Sequence, residues 1–340
     1  MAAAMPVNVS ADGISVVIPL YNKAGQIARA LDSVLAQTFQ DFEIIVVDDG
    51  SKDASAAIVA GYNDPRIRIH RQPNGGVSVA RNQGAALART NVIAFLDGDD
   101  AWYPHHLQTL DDMRRSLPEA AAWAVNYHLV ALDGSKALCV PAEKVPPGRI
   151  ILTPANFFRL SQSGNTPVFS SAVAVDKAAL LRVGGFPIGV RLGEDIDTWI
   201  RLLFDGQILF DPRPGAFYYA DGDERALVRH APLLRYVFFD TDEAWVRAHP
   251  AEAVVADDIE EFHNFFRIVH AYYHVRYGER SNARAVLRQM RTRVFSLEKR
   301  KLLLMSYLPK AFYEGALSVK HRIKAVLNSR ARIPSESTHA

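Results

Sequence analysis

The chain has 340 residues, 49% of them hydrophobic and 22% charged, with a formal net charge of +2. That length suggests two domains or one large one, and the apolar share excludes wholesale disorder. The single cysteine, Cys139, excludes an intrachain disulfide framework and a four-cysteine zinc site.

Residues 1–13 lack the basic and apolar stretches of a secretory signal, so a disordered leader is expected over 1–12. Residues 14–20 (ISVVIPL) form a short apolar run, as in a strand covered on both faces. Ile27, Leu31, Val34 and Leu35 follow at helical spacing. A second buried strand over 42–47 ends in Asp48-Asp49-Gly50-Ser51, and an alanine-rich helix runs on to residue 60. Residues 66–70 alternate like an edge strand. Gly75-Gly76 opens a helix to residue 88, and a third buried strand spans 91–96. Such alternation predicts βαβ units and a mainly parallel sheet flanked by helices.

A helix is predicted over 102–117, and strands over 121–132 and 168–175. The Pro/Gly-punctuated stretch 141–167 between the strands is expected to be a long loop with a short helix at 155–160. Residues 194–204 follow as a helix and 207–210 as a strand, and Pro212 and Pro214 mark a boundary. Beyond residue 221 the pattern is helical. Apolar runs there are far shorter than the ~20 residues of a membrane-spanning helix.

In open α/β sheets ligands sit beyond the carboxyl ends of the strands. Three strands there deliver Tyr21 and Asn22, then Asp48 and Asp49, then Asp97, Asp99 and Asp100. Acids packed so closely repel, and a cation relieves the repulsion; oxygen ligands favour Mg²⁺ or Mn²⁺. The same acids could instead cap the following helix. Asp48-Asp49 has the same two readings, a helix cap or an acceptor for a nucleobase N–H. Gly75-Gly76 can bring backbone close to an anion, and Arg81 either reaches a phosphate or lies on the surface. Glu194 and Asp195 begin a helix, where they either complement its dipole or supply a general base.

Together these segments resemble family 2 glycosyltransferases of the GT-A fold. The resemblance rests on Ser15-Val16-Val17-Ile18-Pro19-Leu20-Tyr21-Asn22, Val46-Val47-Asp48-Asp49-Gly50-Ser51, Gly76 with Ala80-Arg81-Asn82 and Gly84, Leu96-Asp97-Gly98-Asp99-Asp100, and Gly193-Glu194-Asp195 with Trp199-Ile200-Arg201. It covers residues 13–219 and implies inverting transfer of a sugar from a nucleotide-sugar, a UDP-sugar first, to a saccharide or lipid-linked acceptor hydroxyl. It implies donor contacts from Pro19, Tyr21, Asn22, Asp49, Gly76, Arg81 and Asp97. Asp97 and Asp99 match the D-x-D pair that holds Mn²⁺ or Mg²⁺. Asp195 matches the catalytic base, with Glu194 as the alternative. Many relatives carry Tyr-Arg-x-His after the last strand, where this chain has Tyr218-Tyr219-Ala220-Asp221; a metal or phosphate ligand from that segment is therefore in doubt, with His230 a distant candidate. A nucleotidyltransferase and an inactive nucleotide-sugar-binding protein are the alternative functions.

The expected domains are a catalytic unit over 13–220, a helical basic region over 221–330 and a disordered tail over 331–340. The near-neutral total charge hides an asymmetry. Residues 276–332 hold fifteen lysines and arginines against three acids, a net +12, which leaves −10 on the rest. Basic residues around Leu302, Leu303 and Leu304 suit either a helix lying on anionic lipid or a bundle on the catalytic unit. No recognised module points to nucleic acid. One cysteine, the absent signal and the basic region together point to the cytoplasm, at the inner face of the plasma membrane. His263, His270 and His274 lie along one side of a helix over 257–276, where they are expected to form a solvent-facing flank rather than a metal site.

Overall fold

A computed structural model describes residues 9–162, 164–190, 192–219 and 236–308. The leader through residue 8, His230 and the tail 331–340 lie outside the described residues.

Four strands, β1 (Ile14–Leu20), β2 (Phe42–Asp48), β3 (Ile67–Arg71) and β4 (Val92–Phe95), pair in parallel, with β1 between β2 and β4. Helices α1 (Ile27–Leu35), α2 (Ser55–Ala60) and α3 (Val77–Leu87) make the crossovers. Both faces are covered, which is why β1, β2 and β4 are apolar almost throughout. β3 closes one edge, and its side chains are only partly buried.

The sheet continues through β5 (Ala101–Trp102), β6 (Ala122–Val130), β7 (Lys136–Leu138), β8 (Ile150–Leu152), β9 (Val173–Asp176) and β10 (Ile208–Tyr219) in the order β3-β2-β1-β4-β9-β6-β10-β5. β9 runs antiparallel between β4 and β6 and joins a parallel half to a mixed one. Helices α4 (His106–Ser116), α5 (Pro154–Ser161), α6 (Lys177–Arg182) and α7 (Glu194–Asp205) complete this unit. Phe95, Phe186 and Trp199 lock α7 to the sheet, with ring centroids 5.1–6.2 Å apart. The α/β architecture, a central sheet flanked by helices, is the one predicted; the sheet is parallel over β1–β4 and mixed beyond.

Several elements differ from the sequence reading. Residues 101–102 form a strand against β10, so the helix predicted from 102 begins at His106. The strand predicted from 168 begins at Val173, after a single 3₁₀ turn over Ser170–Ala172. The loop 141–167 contains β8 as well as α5.

Pro212 and Pro214 do not end the domain; they lie inside β10. One flank of β10 pairs with β8 up to Phe210 and with β5 from Ala216 on, so neither partner is beside the prolines. On the other flank the register with β6 shifts at those residues. Prolines lack the ladder donor, and a gap between partners beside a bulge is where a strand tolerates them.

Among the described residues four further helices follow: α8 (Val237–Ala248), α9 (Ala253–Arg276), α10 (Arg280–Gln289) and α11 (Ser296–Met305). The first half of α9 joins the main core through Val255, Ile259, Phe262 and Phe266. Its second half builds a separate core with α10 and α11 around Ala271, Val275, Leu287 and Leu302.

The three histidines of α9 are buried, contrary to the expected solvent-facing flank, because Asp242 of α8, Tyr236 just before it and Glu279 just after α9 face them. His263 pairs with Asp242 at 2.8 Å, His270 with the Tyr236 hydroxyl at 3.2 Å and His274 with Glu279 at 2.7 Å. Each has its own partner. Among the described residues no group of three or more His, Cys, Asp or Glu is arranged to hold a metal.

Gly84 on α3 faces Val17 of β1, and a Cβ there would lie 2.3 Å from Val17 Cγ1. The helix can approach the sheet this closely only without a side chain. Gly84→Ala should therefore destabilise the protein by about 1–3 kcal/mol, measured by urea unfolding.

Candidate active site

The site is built where β1, β2 and β4 end. Pro19 and Leu20 pair with Val47 and Asp48, so the chain beyond β1 is set beside the chain beyond β2. Tyr21 is 43% exposed at this edge. Asn22 takes a positive φ of 52°. It accepts from Lys52 N at 2.8 Å, and its own N–H donates to Ser51 Oγ at 3.2 Å.

Neither acid of Asp48-Asp49 caps α2, whose first turn has no side-chain cap. Asp48 Oδ1 accepts from Ser51 N at 2.9 Å and shapes the turn. Asp49 is buried. It accepts from the backbone N–H groups of Gly75 and Gly76 at 2.9 and 2.8 Å and from Gln72 Nε2 at 2.7 Å. Asp49 thus anchors the glycine turn that starts α3, and Gly76 adopts φ 92°, which a side chain would disfavour.

The acids after β4 divide into two kinds. Asp100 is buried, accepting from Ser171 Oγ at 2.6 Å and Tyr219 N at 3.1 Å. Burial, helped by the charges of Asp97 and Asp99, raises its carboxyl well above the ordinary range. It ties the end of β4 to β10 and to the turn before β9. Asp97 and Asp99 remain partly exposed. Lys23 forms an ion pair with Asp99, and Arg29 donates to the Asp99 carbonyl while its guanidinium lies 3.6 Å over the Tyr219 ring. None of the three acids caps α4, which begins after His105 without a side-chain cap.

Arg81 is not on the surface: it is 3% exposed. It donates to Asp97 Oδ1 at 2.7 Å and to Glu194 Oε1 at 3.1 Å. Burial opposes its charge, but Asp97, Glu194 and Asp195 outweigh burial and raise its pKa above the ordinary value. One guanidinium therefore joins the acids after β4 to those that open α7.

Gly193 precedes α7 in the left-handed conformation, with φ 79°. A Cβ there would lie 2.8 Å from the Phe238 ring, so α8 presses on this turn. Asp195 Oδ1 accepts from Ile196 N at 2.8 Å, and Ser170 Oγ donates to its Oδ2 at 3.4 Å. Burial is the main cause that raises the pKa of Asp195, with Arg81 opposing it. Burial, then the charge of Asp195, pushes Glu194 up to about 7 against the pull of Arg81. A carboxylate with a raised pKa and a nearby cation is suited to accept a proton near neutrality.

The structure thus brings Arg81, Asp97, Glu194 and Asp195 into one charge cluster, with Asp99 beside it. Pro19, Tyr21, Asn22, Asp49 and Gly76 form the neighbouring rim. Sequence reasoning missed Lys23, Arg29, Ser170, Ser171 and Tyr218. Of these only Tyr218 carried a signal, its place in a segment that departs from the family pattern. The carboxylate oxygens of Asp97 and Asp99 are hard ligands that fit Mn²⁺ or Mg²⁺, provided Lys23 yields Asp99 and a diphosphate fills the remaining positions.

Residues 15–126 match the family described as Glycosyl transferase family 2. A succinoglycan biosynthesis protein of Rhizobium meliloti, ExoO, is 42% identical over 123 residues, which are 36% of this chain and 35% of that protein. The chain thus matches about a third of that relative's length. The S. aureus protein TarS, solved with UDP-GlcNAc, superposes with a TM-score of 0.55 at 19% identity, over 86% of this chain and 79% of that one. The mannosyltransferase PcManGT of Pyrobaculum calidifontis, solved with GDP-Man and Mn²⁺, gives 0.54 at 18% identity, over 92% and 85%. The fold is the GT-A arrangement, and the matched segment, 15–126, holds the ends of β1, β2 and β4 together with Arg81.

Glu194 sets a pH dependence whose sign is fixed. Its folded pKa of about 7 lies above the ordinary 4.5, so between those values the native state holds a proton that the unfolded chain has lost. Native stability should fall as pH rises through this window. Glu194→Gln should flatten that part of the profile, read as thermal midpoint against pH.

Proposed function

We propose that the chain is an inverting, metal-dependent glycosyltransferase that moves a sugar from a nucleoside-diphosphate sugar to an acceptor hydroxyl. A UDP-sugar is the first donor to test, and the acceptor is a saccharide or lipid-linked saccharide of cell-surface polysaccharide or glycolipid synthesis. The observation that carries this reading is the Arg81 bridge, which holds the Asp97-Gly98-Asp99 turn and the Glu194-Asp195 pair around one cation. The family match supports the reaction class, the nucleotide-sugars seen with TarS and PcManGT support the donor class, and the role of ExoO supports the setting.

In this reading Asp195 accepts the proton of the acceptor hydroxyl as its oxygen attacks the anomeric carbon, and the bond from that carbon to the diphosphate breaks on the opposite face. Arg81 steadies Asp97 beside the departing diphosphate. Tyr21, Asn22, Pro19 and the turn that Asp49 holds line the nucleoside side. Mn²⁺ or Mg²⁺ held by Asp97 and Asp99 would neutralise charge on the leaving diphosphate.

The transferase reading is tested with the purified chain, Mn²⁺ and a panel of nucleotide-sugars. Release of nucleoside diphosphate is expected; release of sugar 1-phosphate instead, or of pyrophosphate from an added nucleoside triphosphate, would mean a nucleotidyltransferase. Asp99→Ala and Asp195→Asn should each lower turnover by at least about a hundredfold, with donor binding kept in Asp195→Asn. Full activity in Asp195→Asn removes the base assignment.

We also place the protein at the cytoplasmic face of an anionic membrane. No helix among the described residues is long and apolar enough to cross a membrane. On α11, Leu297 and Leu304 are 56% and 63% exposed, and Arg300 and Lys301 are exposed between them on one stripe. Apolar side chains framed by cations suit insertion at an anionic lipid surface. Leu297→Asp with Leu304→Asp should reduce co-sedimentation with phosphatidylglycerol vesicles at least about fivefold. Unchanged sedimentation, or none for the unaltered chain, sinks the membrane assignment.

A further inference from the structure

Three aromatic rings run from the core to the site. Tyr127 is buried, and its hydroxyl donates to the Thr166 carbonyl at 3.2 Å. Its ring lies 4.8 Å from that of Phe169, which meets the Tyr218 ring edge-on at 5.2 Å. Tyr218 ends the ladder with 41% exposure.

The neighbours of Phe169 and Tyr218 in sequence are held by acids of the site. Ser170, which follows Phe169, donates to Asp195. Tyr219, which follows Tyr218, donates its N–H to Asp100. β10 pairs with β6 at Tyr218↔Leu129, so the backbone of Tyr218 is held by a strand, not a loop. Burial of its hydroxyl end and the charges of Asp100, Asp99, Asp97 and Asp195 push that hydroxyl up to about 12. Tyr218 therefore stands close enough to the acids to feel their charge, while part of it stays open to solvent.

An exposed, buttressed aromatic beside a general-base candidate needs a reason. A pyranose presents an apolar face of C–H groups, and the electron-rich face of an aromatic ring attracts them. Tyr21, the other exposed aromatic at these strand ends, stands beyond β1 on the side assigned to the nucleoside.

We propose that Tyr218, backed by Phe169 and Tyr127, is a stacking platform for the pyranose ring of the acceptor saccharide, setting its hydroxyl toward Asp195. This rests on the transferase reading for the identity of the ligand as acceptor; the platform itself rests on the ring geometry.

The test uses the full chain with UDP and Mn²⁺, and methyl glycosides of glucose, galactose, mannose and N-acetylglucosamine as probes. Saturation-transfer NMR reads the sugar C–H protons, and calorimetry reads UDP. At least one glycoside should receive saturation from the unaltered protein and from Tyr218→Phe. Tyr218→Ala and Tyr218→Leu should weaken its binding about tenfold, or about 1.4 kcal/mol, with UDP affinity unchanged as evidence that the site is folded. Equal glycoside binding in Tyr218→Ala, no transfer to any glycoside, or a parallel loss of UDP affinity each overturns the platform. Tyr218-dependent glycoside binding by a protein that binds none of UDP, GDP, ADP and dTDP overturns the transferase reading and leaves the platform standing.

Discussion

A buried guanidinium is tenable only where carboxylates surround it, and Arg81 is the point on which the site is organised. Its charge is withdrawn from water and returned by Asp97 and Glu194 at hydrogen-bonding distance. The same two contacts join α3, the end of β4 and the start of α7. Remove the cation, and Asp97, Glu194 and Asp195 are left as neighbouring like charges. With it in place, the three acids can stand close together.

That cluster depends on a second layer supplied by the C-terminal helices. Asp197, one turn into α7, accepts from Arg201 at 2.8 Å and from Thr241 of α8 at 2.6 Å. The next residue, Asp242, pairs with His263 of α9 inside the core. Phe204 of α7 stacks on Trp245 of α8 at 4.7 Å, and Phe158 of α5 meets Phe262 of α9 at 5.6 Å. Helices α8 and α9 are therefore a brace on the helix that carries Glu194 and Asp195. The basic residues concentrate further out, on α10 and α11, where a separate core leaves one stripe of α11 open.

The parallel half of the fold was legible because burial on both faces forces continuous apolar runs at β1, β2 and β4, and glycine-rich turns separate them. The mixed half was less legible. β10 crosses two prolines that local rules treat as a boundary, and only its change of partner from β8 to β5 explains why they are tolerated. The histidines of α9 fell on a stripe that looked solvent-facing, because sequence periodicity says which residues share a face and not how many neighbours cover the helix.

By itself the sequence determined that polar residues would gather at the carboxyl ends of buried strands, since apolar runs leave acids nowhere else to go. It also determined which short motifs stand there, and so the resemblance that frames the site. Tertiary structure alone decided which acid does what. Asp100 is consumed by Ser171 and Tyr219 while Asp97 and Asp99 stay accessible, and no local rule distinguishes three acids within four residues. Arg81 and Glu194 are 113 positions apart, and their meeting depends on how α3 and α7 pack across the sheet. Charges acquire their roles from neighbours at a few ångströms, and those neighbours are chosen by the fold rather than by adjacency along the chain.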